Sequence, residues 1–235
     1  MLKVELHAHT GLDPVDYIPH STRQLIDRAA DLGYGALAVT LHNRYYDPLA
    51  DREYARERGI VLIPGIERTI HGRHVLLLNF SSDCAAVASF DDVRELKRRQ
   101  PNGLVIVPHA FYPTPSALGP ETNGCEDLID AVEVNSMFTP MLDFNRRAIE
   151  WARARGKPLV GNTDLHLLEQ LGTTYTLVDA SPDADAICEA IRAGRVEVRS
   201  RPHSLVRAVW IFSRMLGGGA IGRLRAISQH WRHGR

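Results

Sequence analysis

The chain has 235 residues, 44% of them hydrophobic and 24% charged, and its 28 basic and 28 acidic side chains cancel. That length suits one sizeable core and argues against a second full domain, and the polarity is that of an ordinary soluble protein. Zero net charge singles out no partner. The three cysteines, Cys84, Cys125 and Cys188, are odd in number, with no CxxC pair, which argues against a disulfide framework and a thiolate zinc site; they read as reduced core residues. No basic stretch followed by an apolar run opens the chain, and the apolar segment Val209 to Phe212 is soon interrupted by Arg214. The sequence therefore predicts a cytoplasmic protein with no membrane span.

The first strand, Leu2 to Glu5, runs into His7-Ala8-His9. Extended residues two apart share a face, so both imidazoles can aim at one spot, as a metal ion requires. Ser21 and Gln24 have capping-box spacing for a helix that closes at Gly33. Ala36 to Thr40 is a short buried strand delivering His42. Asp47 to Arg58 reads as a polar helix and Ile60 to Ile63 as a strand, after which Pro64-Gly65-Ile66 leads to Glu67.

His74 starts or sits within the strand Val75 to Phe80, and Ser89 with Asp92 caps a basic helix. Leu104 to Val107 is a strand followed by Pro108-His109, and the Pro-, Gly- and Thr-rich stretch Phe111 to Gly124 is a loop beside the site. Ala131 to Val134 is the next strand, Pro140 to Arg155 a helix, and Pro158 to Val160 a short strand entering Gly161-Asn162-Thr163-Asp164-Leu165-His166. Thr174 to Val178, the helix Asp183 to Ala193 and Arg195 to Val198 complete the regular part. Alternation of this kind predicts a mostly parallel α/β sheet with its site at the strands' C-terminal ends.

Candidate ligands therefore stand at or near strand ends: His7, His9, Asp13 or Asp16, His42, Glu67, His74, His109, Asp164 and His166. Imidazoles and carboxylates without thiolates suit zinc, manganese or iron, and such a set is too large for one ion. It predicts two or three divalent transition-metal ions in one cluster. His20, His71, His203, His230 and His233 fit no motif and read as ordinary surface or tail residues.

The order of motifs resembles the PHP family, the polymerase and histidinol phosphatase superfamily. The resemblance rests on Leu-His-Ala-His at 6–9, Thr-Leu-His-Asn at 40–43, Pro-Gly-Ile-Glu at 64–67, His74, Pro-His at 108–109 and Asn-Thr-Asp-Leu-His at 162–166. It implies a distorted (β/α)7 barrel over residues 1–200; residues 201–235 read as a basic helical tail by their own apolar spacing and arginines. It also implies that His7, His9, Glu67 and Asp164 surround one ion and Glu67, His74 and His109 a second. His42, His166 and Asp13 or Asp16 would hold a third. Where the family commonly has an aspartate before the second-motif histidine, this chain has Leu41.

Such a centre suits phosphate ester hydrolysis, because a water between two ions loses a proton near neutral pH and lies in line with a phosphorus held by the same ions. Asp164 and His166 are the candidates for proton transfer to the leaving group, and Arg44 and Arg68 for binding phosphate. The expected function is a metal-dependent phosphoesterase acting on a small phosphorylated metabolite or nucleotide. The alternatives are a nuclease acting on nucleic-acid ends, amide hydrolysis on the same cluster, and a non-catalytic binding module. From Arg192 to Arg235 ten arginines face one acid, Glu197. This tail is open to three readings: a helix packed on the barrel, an attractor of acidic substrate or nucleic acid, or an element lying on an anionic membrane surface.

Overall fold

The computed structural model describes residues 1–215; the rest of the basic tail expected at 201–235 lies outside the described residues. Strands β1 (Leu2–Ala8), β2 (Ala36–Val39) and β3 (Val61–Ile63) are parallel neighbours. Beyond β1, the strands β9 (Thr174–Val178) and β10 (Val196–Ser200) add antiparallel, giving the order β10-β9-β1-β2-β3. A second five-stranded sheet runs β4-β5-β6-β7-β8, from Gly65–Ile70, Arg73–Leu78, Leu104–Val107, Ala131–Asn135 and Leu159–Asn162. Its β4, β5 and β6 pair antiparallel, while β6, β7 and β8 are parallel.

The expected α/β class holds, but the strand ladders form two mixed sheets. Outside the named strands the sheets communicate through single bridges, Ala8 with Leu165, His42 with Glu67 and Tyr46 with Gly65. The departure from simple alternation starts at the segment read as a lead-in to Glu67, which is strand β4. His71 and Gly72, with φ of 50° and 79°, form the left-handed two-residue turn that folds β4 onto β5. Glu67 pairs with Leu76, nine residues ahead, so local apolar pattern alone does not reveal it.

Helix α1 (Thr22–Asp31) opens on the expected box: Ser21 Oγ accepts from the Gln24 amide at 3.2 Å, and Gln24 Oε1 from the Ser21 amide at 2.8 Å. The polar helix expected at 47–58 is a 3-10 turn, Pro48–Ala50, followed by the short α2 (Arg52–Arg56). Helix α3 (Phe90–Arg99) carries the Ser89–Asp92 box. The helix expected from Pro140 starts later, as α4 (Asn145–Ala154), because Asp143 accepts from the Asn145 amide at 2.9 Å and the chain turns at 139–142. Asp183 caps α5 (Ala184–Arg192) through the Ala186 amide.

Both sheets contribute to one apolar layer, where Val4, Leu6 and Ile63 of the first meet Leu76, Leu78, Leu104, Ile106 and Val160 of the second. A second layer packs the other sheet face against α3 and α4, and a third packs α1 and α2 against β2 and β3. Cys84, Cys125 and Cys188 are free and buried, as expected. Two of the histidines expected at the surface are instead buried: His20 donates from Nε2 to the His9 carbonyl at 2.9 Å, and His203 is 3% exposed. Among the described residues, no helix is long and apolar enough to cross a membrane.

Candidate metal centre

The C-terminal ends of β1, β2, β6 and β8 and the hairpin β4–β5 converge on one buried cluster. His7 and His9 do share a face: their Nε2 atoms are 3.4 Å apart. His7 Nε2 lies 3.5 Å from Glu67 Oε2 and 3.3 Å from Asp164 Oδ1, and His9 Nε2 lies 3.4 Å from each of them. Four donor atoms around one ion at about 2.0–2.1 Å in tetrahedral array are separated by about 3.3–3.4 Å. The five separations match that edge length.

The tautomers make the fit chemical as well as geometric. His7 Nδ1 donates to Glu133 Oε2 at 2.8 Å and His9 Nδ1 to Asp13 Oδ2 at 2.9 Å. His42 Nδ1 also donates to Asp13 Oδ2, at 3.0 Å, and its Nε2 is 3.1 Å from Glu67 Oε2. With each Nδ1 so engaged, the Nε2 atoms of all three rings face Glu67 Oε2. Glu67 Oε2 is buried without a hydrogen-bond partner, and so is His109 Nδ1. A knot of acceptors demands a cation: a proton or a metal ion.

Electrostatics states the same demand. Burial alone would lower the affinity of His7 for a proton, but the carboxylates of Asp164, Glu133 and Glu67 outweigh it and hold the imidazole well above its usual range. His9 is raised likewise against burial, by Asp13, Asp164 and Glu67. Burial also opposes ionisation of Glu67, and His7, His109 and His74 reverse it, holding this carboxyl well below the usual range. Divalent ions satisfy such a site by displacing the protons.

The remaining candidates gather around this knot. His74 Nδ1 is 2.6 Å and His109 Nε2 3.3 Å from Glu67 Oε1, so the two oxygens of Glu67 face different neighbours. His166 gives Nδ1 to the Asp164 carbonyl at 2.9 Å and turns Nε2 to Asp16 Oδ2, 3.2 Å away. The alternative between the early aspartates has a structural basis. Asp13 accepts from His9 Nδ1, from the His42 ring and amide, and from the amides of Val15 and Asp16. Its carboxylate is thus saturated. Leu41 packs in the apolar layer beside α1, and the carboxylate that His42 engages is Asp13.

Backbone conformation helps aim the ligands. His109 and Asp164 adopt φ of 32° and 50°, left-handed values that cost a non-glycine residue about 1–3 kcal/mol and concentrate at functional sites. Arg68, beside Glu67, gives Nε to the Val87 carbonyl at 2.6 Å and Nη1 to Asn43 Oδ1 at 3.0 Å. Arg44 is exposed and gives Nη1 to the Leu12 carbonyl at 3.0 Å.

A family model described as PHP-associated matches residues 143–196, the segment from α4 to the start of β10. Over 68 residues, 29% of this chain, the sequence is 40% identical to a DNA polymerase III PolC-type of Streptococcus pyogenes, and the match spans 5% of that polymerase. A two-domain protein of Bacteroides vulgatus ATCC 8482, containing a predicted PHP-like metal-dependent phosphoesterase, superposes with a TM-score of 0.66 at 22% identity, covering 85% of this chain and 65% of that one. These similarities support the resemblance to the PHP superfamily. The chain is also similar to PsfC from Pseudomonas syringae PB-5123, with a TM-score of 0.63 at 16% identity over 96% of this chain and 98% of that one. The lesion-specific endonuclease PfuEndoQ from Pyrococcus furiosus superposes with a TM-score of 0.54 at 13% identity, over 84% of this chain and 57% of that one.

Two carboxylates of this site escaped the sequence reading. Glu133 lies on β7 and accepts from the His7 ring, the His109 amide and the side-chain amides of Asn135 and Asn162. Glu5, on β1, accepts from the Thr163 amide and hydroxyl and from the His7 amide; burial pushes its carboxyl up to about 8 against these bonds. The signal was present: each is a single acid inside a short apolar strand, where both faces are buried and a charge needs a reason.

Proposed function

We propose that this chain is a metal-dependent phosphoric ester hydrolase whose cofactor is two or three divalent transition-metal ions: zinc, manganese or iron. The observation that carries the reading is the set of five 3.3–3.5 Å separations among His7 Nε2, His9 Nε2, Glu67 Oε2 and Asp164 Oδ1. Those four residues hold one ion. His74, His109 and His42 share Glu67 around a second, and Asp16 with His166 serves a third. Residues 1–200 form the catalytic unit in this reading, and 201–235 an appendage.

When bound, such ions lower the pKa of water toward neutrality and offset the charge that gathers on a phosphoryl group. The protein's own residues do the rest. Glu133 and Asp13 fix the His7, His9 and His42 rings in the tautomer that presents Nε2 inward. Glu67 is oriented by histidines on both of its oxygens, which suits a bridging role. Asp164 Oδ1 and His166 Nδ1 are 3.6 Å apart, and we assign proton delivery to the leaving oxygen to whichever of them an ion leaves free. Arg44 is better placed than Arg68 to meet substrate phosphate: its guanidinium is tethered beside Asp13, whereas Arg68 has committed two nitrogens to Val87 and Asn43.

Substrate class is a small phosphorylated metabolite or nucleotide. The likeness to PfuEndoQ favours nuclease action as the second reading. The test is hydrolysis of a panel comprising a nucleoside monophosphate, p-nitrophenyl phosphate, a short oligonucleotide and an amide, each with manganese, zinc or iron. Turnover of the small esters, abolished by chelation and restored by metal, supports the leading reading. Turnover of the oligonucleotide alone favours the nuclease. Metal binding without hydrolysis of any phosphoester sinks both and leaves a binding module.

A further inference from the structure

Residues 201–235 contain seven arginines and no aspartate, glutamate or lysine. Within them a helix spans 205–215. At 3.6 residues per turn Ala208, Ile211 and Met215 lie on one side, and Ile211 is fully buried. The remaining surface carries Val206, Val209 and Trp210 opposite that side, with Ser213 among them, and Leu205 and Phe212 at its border; these five apolar side chains are 43–82% exposed. Arg207 and Arg214 lie on one border between the two, Arg214 within 5.8 Å of the Trp210 ring. The helix thus faces outward with its apolar side, the reverse of a helix that closes a core.

Its position is fixed at two points. The His203 amide donates to the Phe138 carbonyl at 2.9 Å, and Arg207 Nη2 to the Glu169 carbonyl at 2.5 Å. Both acceptors lie on segments that carry the cluster, one just past Ser136 at the end of β7 and one three residues past His166. The chain after Phe138 runs directly into the turn 139–142, whose Met141 is 93% exposed.

From this arrangement we infer that the 205–215 helix docks the protein on an anionic lipid surface. The large apolar side chains, Trp210 among them, enter the headgroup boundary, and the arginines of 201–235 meet the lipid phosphates. Nucleic acid would satisfy the arginines but leave the exposed Val206, Val209 and Trp210 against phosphate. A bilayer satisfies both. A sequence with one such helix and an acid-free basic flank meets the two-signal requirement for stable peripheral attachment. Docking holds the rim of the cluster near the membrane plane without requiring any particular substrate, so it stands or falls apart from the hydrolase reading.

The experiment is co-sedimentation of the full chain with large vesicles of phosphatidylcholine alone or with 30% phosphatidylglycerol, roughly the anionic content of a charged leaflet. A Val209→Glu, Phe212→Glu double variant runs in parallel, and circular dichroism confirms that it melts like the wild type. Binding should be about tenfold stronger to the anionic vesicles, weakened by salt, and lost in the variant. No sedimentation with anionic vesicles overturns the inference, as does binding that the variant retains. An oligonucleotide that binds where vesicles do not reassigns the arginines to nucleic acid, and a wild-type dimer that the variant converts to monomer reassigns the apolar face to a second copy.

Discussion

Nδ1 of His7 and Oε2 of Glu133, 2.8 Å apart and both fully buried, join β1 of the first sheet to β7 of the second. One bond thus fixes an imidazole tautomer and ties together the two halves of the fold. Substituting Glu133→Gln keeps the shape but removes the negative acceptor and admits a competing amide donor. The variant should fold, with metal affinity reduced about 10–100-fold. Titration calorimetry with manganese, beside far-ultraviolet circular dichroism, checks this; an unchanged affinity would mean that the bond is structural only.

The early aspartates should separate by phenotype. Asp13 accepts five hydrogen bonds, so Asp13→Asn should destabilise the apo-protein by about 1–3 kcal/mol and loosen His9 and His42 together. Asp16→Asn touches mainly His166 and should leave apo stability nearly unchanged while removing one ion per chain. Chemical denaturation without metal and elemental mass spectrometry with it read the two effects. Reversal of the pattern would exchange the roles.

Metal should stabilise the folded chain by mass action, about 2.7 kcal/mol at a hundred times Kd for a single site. Wild-type protein should carry two or three transition-metal ions, and its melting temperature should fall on chelation. In the His7→Ala, His9→Ala double variant both the bound metal and the chelator effect should largely vanish. A wild type that takes up no manganese, zinc or iron would remove the basis of the hydrolase reading.

Burial pushes the thiols of Cys84 and Cys188 up to about 12 and that of Cys125 up to about 11. At pH 8 they should remain protonated and react with a disulfide reagent only as fast as the chain opens. The folded values lie above the ordinary 9.0, so the folded state keeps protons that the unfolded state releases. Their stabilising contribution is therefore complete below pH 9 and lost as pH rises toward 11–12. Urea melts at pH 8 and 10 should show it, with Cys125→Ser and Cys188→Ser variants less sensitive to the rise.

By itself the sequence determined most of the elements and the candidate residues that gather in the cluster. Capping boxes at Ser21 and Ser89 are contacts within one turn, and the alternation that sets His7 and His9 on one face is a property of a single strand. Such signals are local, so they survive without knowledge of the fold. The tertiary structure alone decided what depends on chain segments far apart. The turn at His71-Gly72 pairs β4 with β5, and the strands ladder into two mixed sheets, because strand pairing is a contact between segments and not a propensity. It also settled the surroundings of each ring: Glu133, 126 residues from His7, supplies its acceptor, and Asp13, 29 residues from His42, occupies the role open beside Leu41. Hydrogen-bond direction at an imidazole is set by whichever carboxylate the fold brings within 3 Å, and no spacing along the chain encodes that distance.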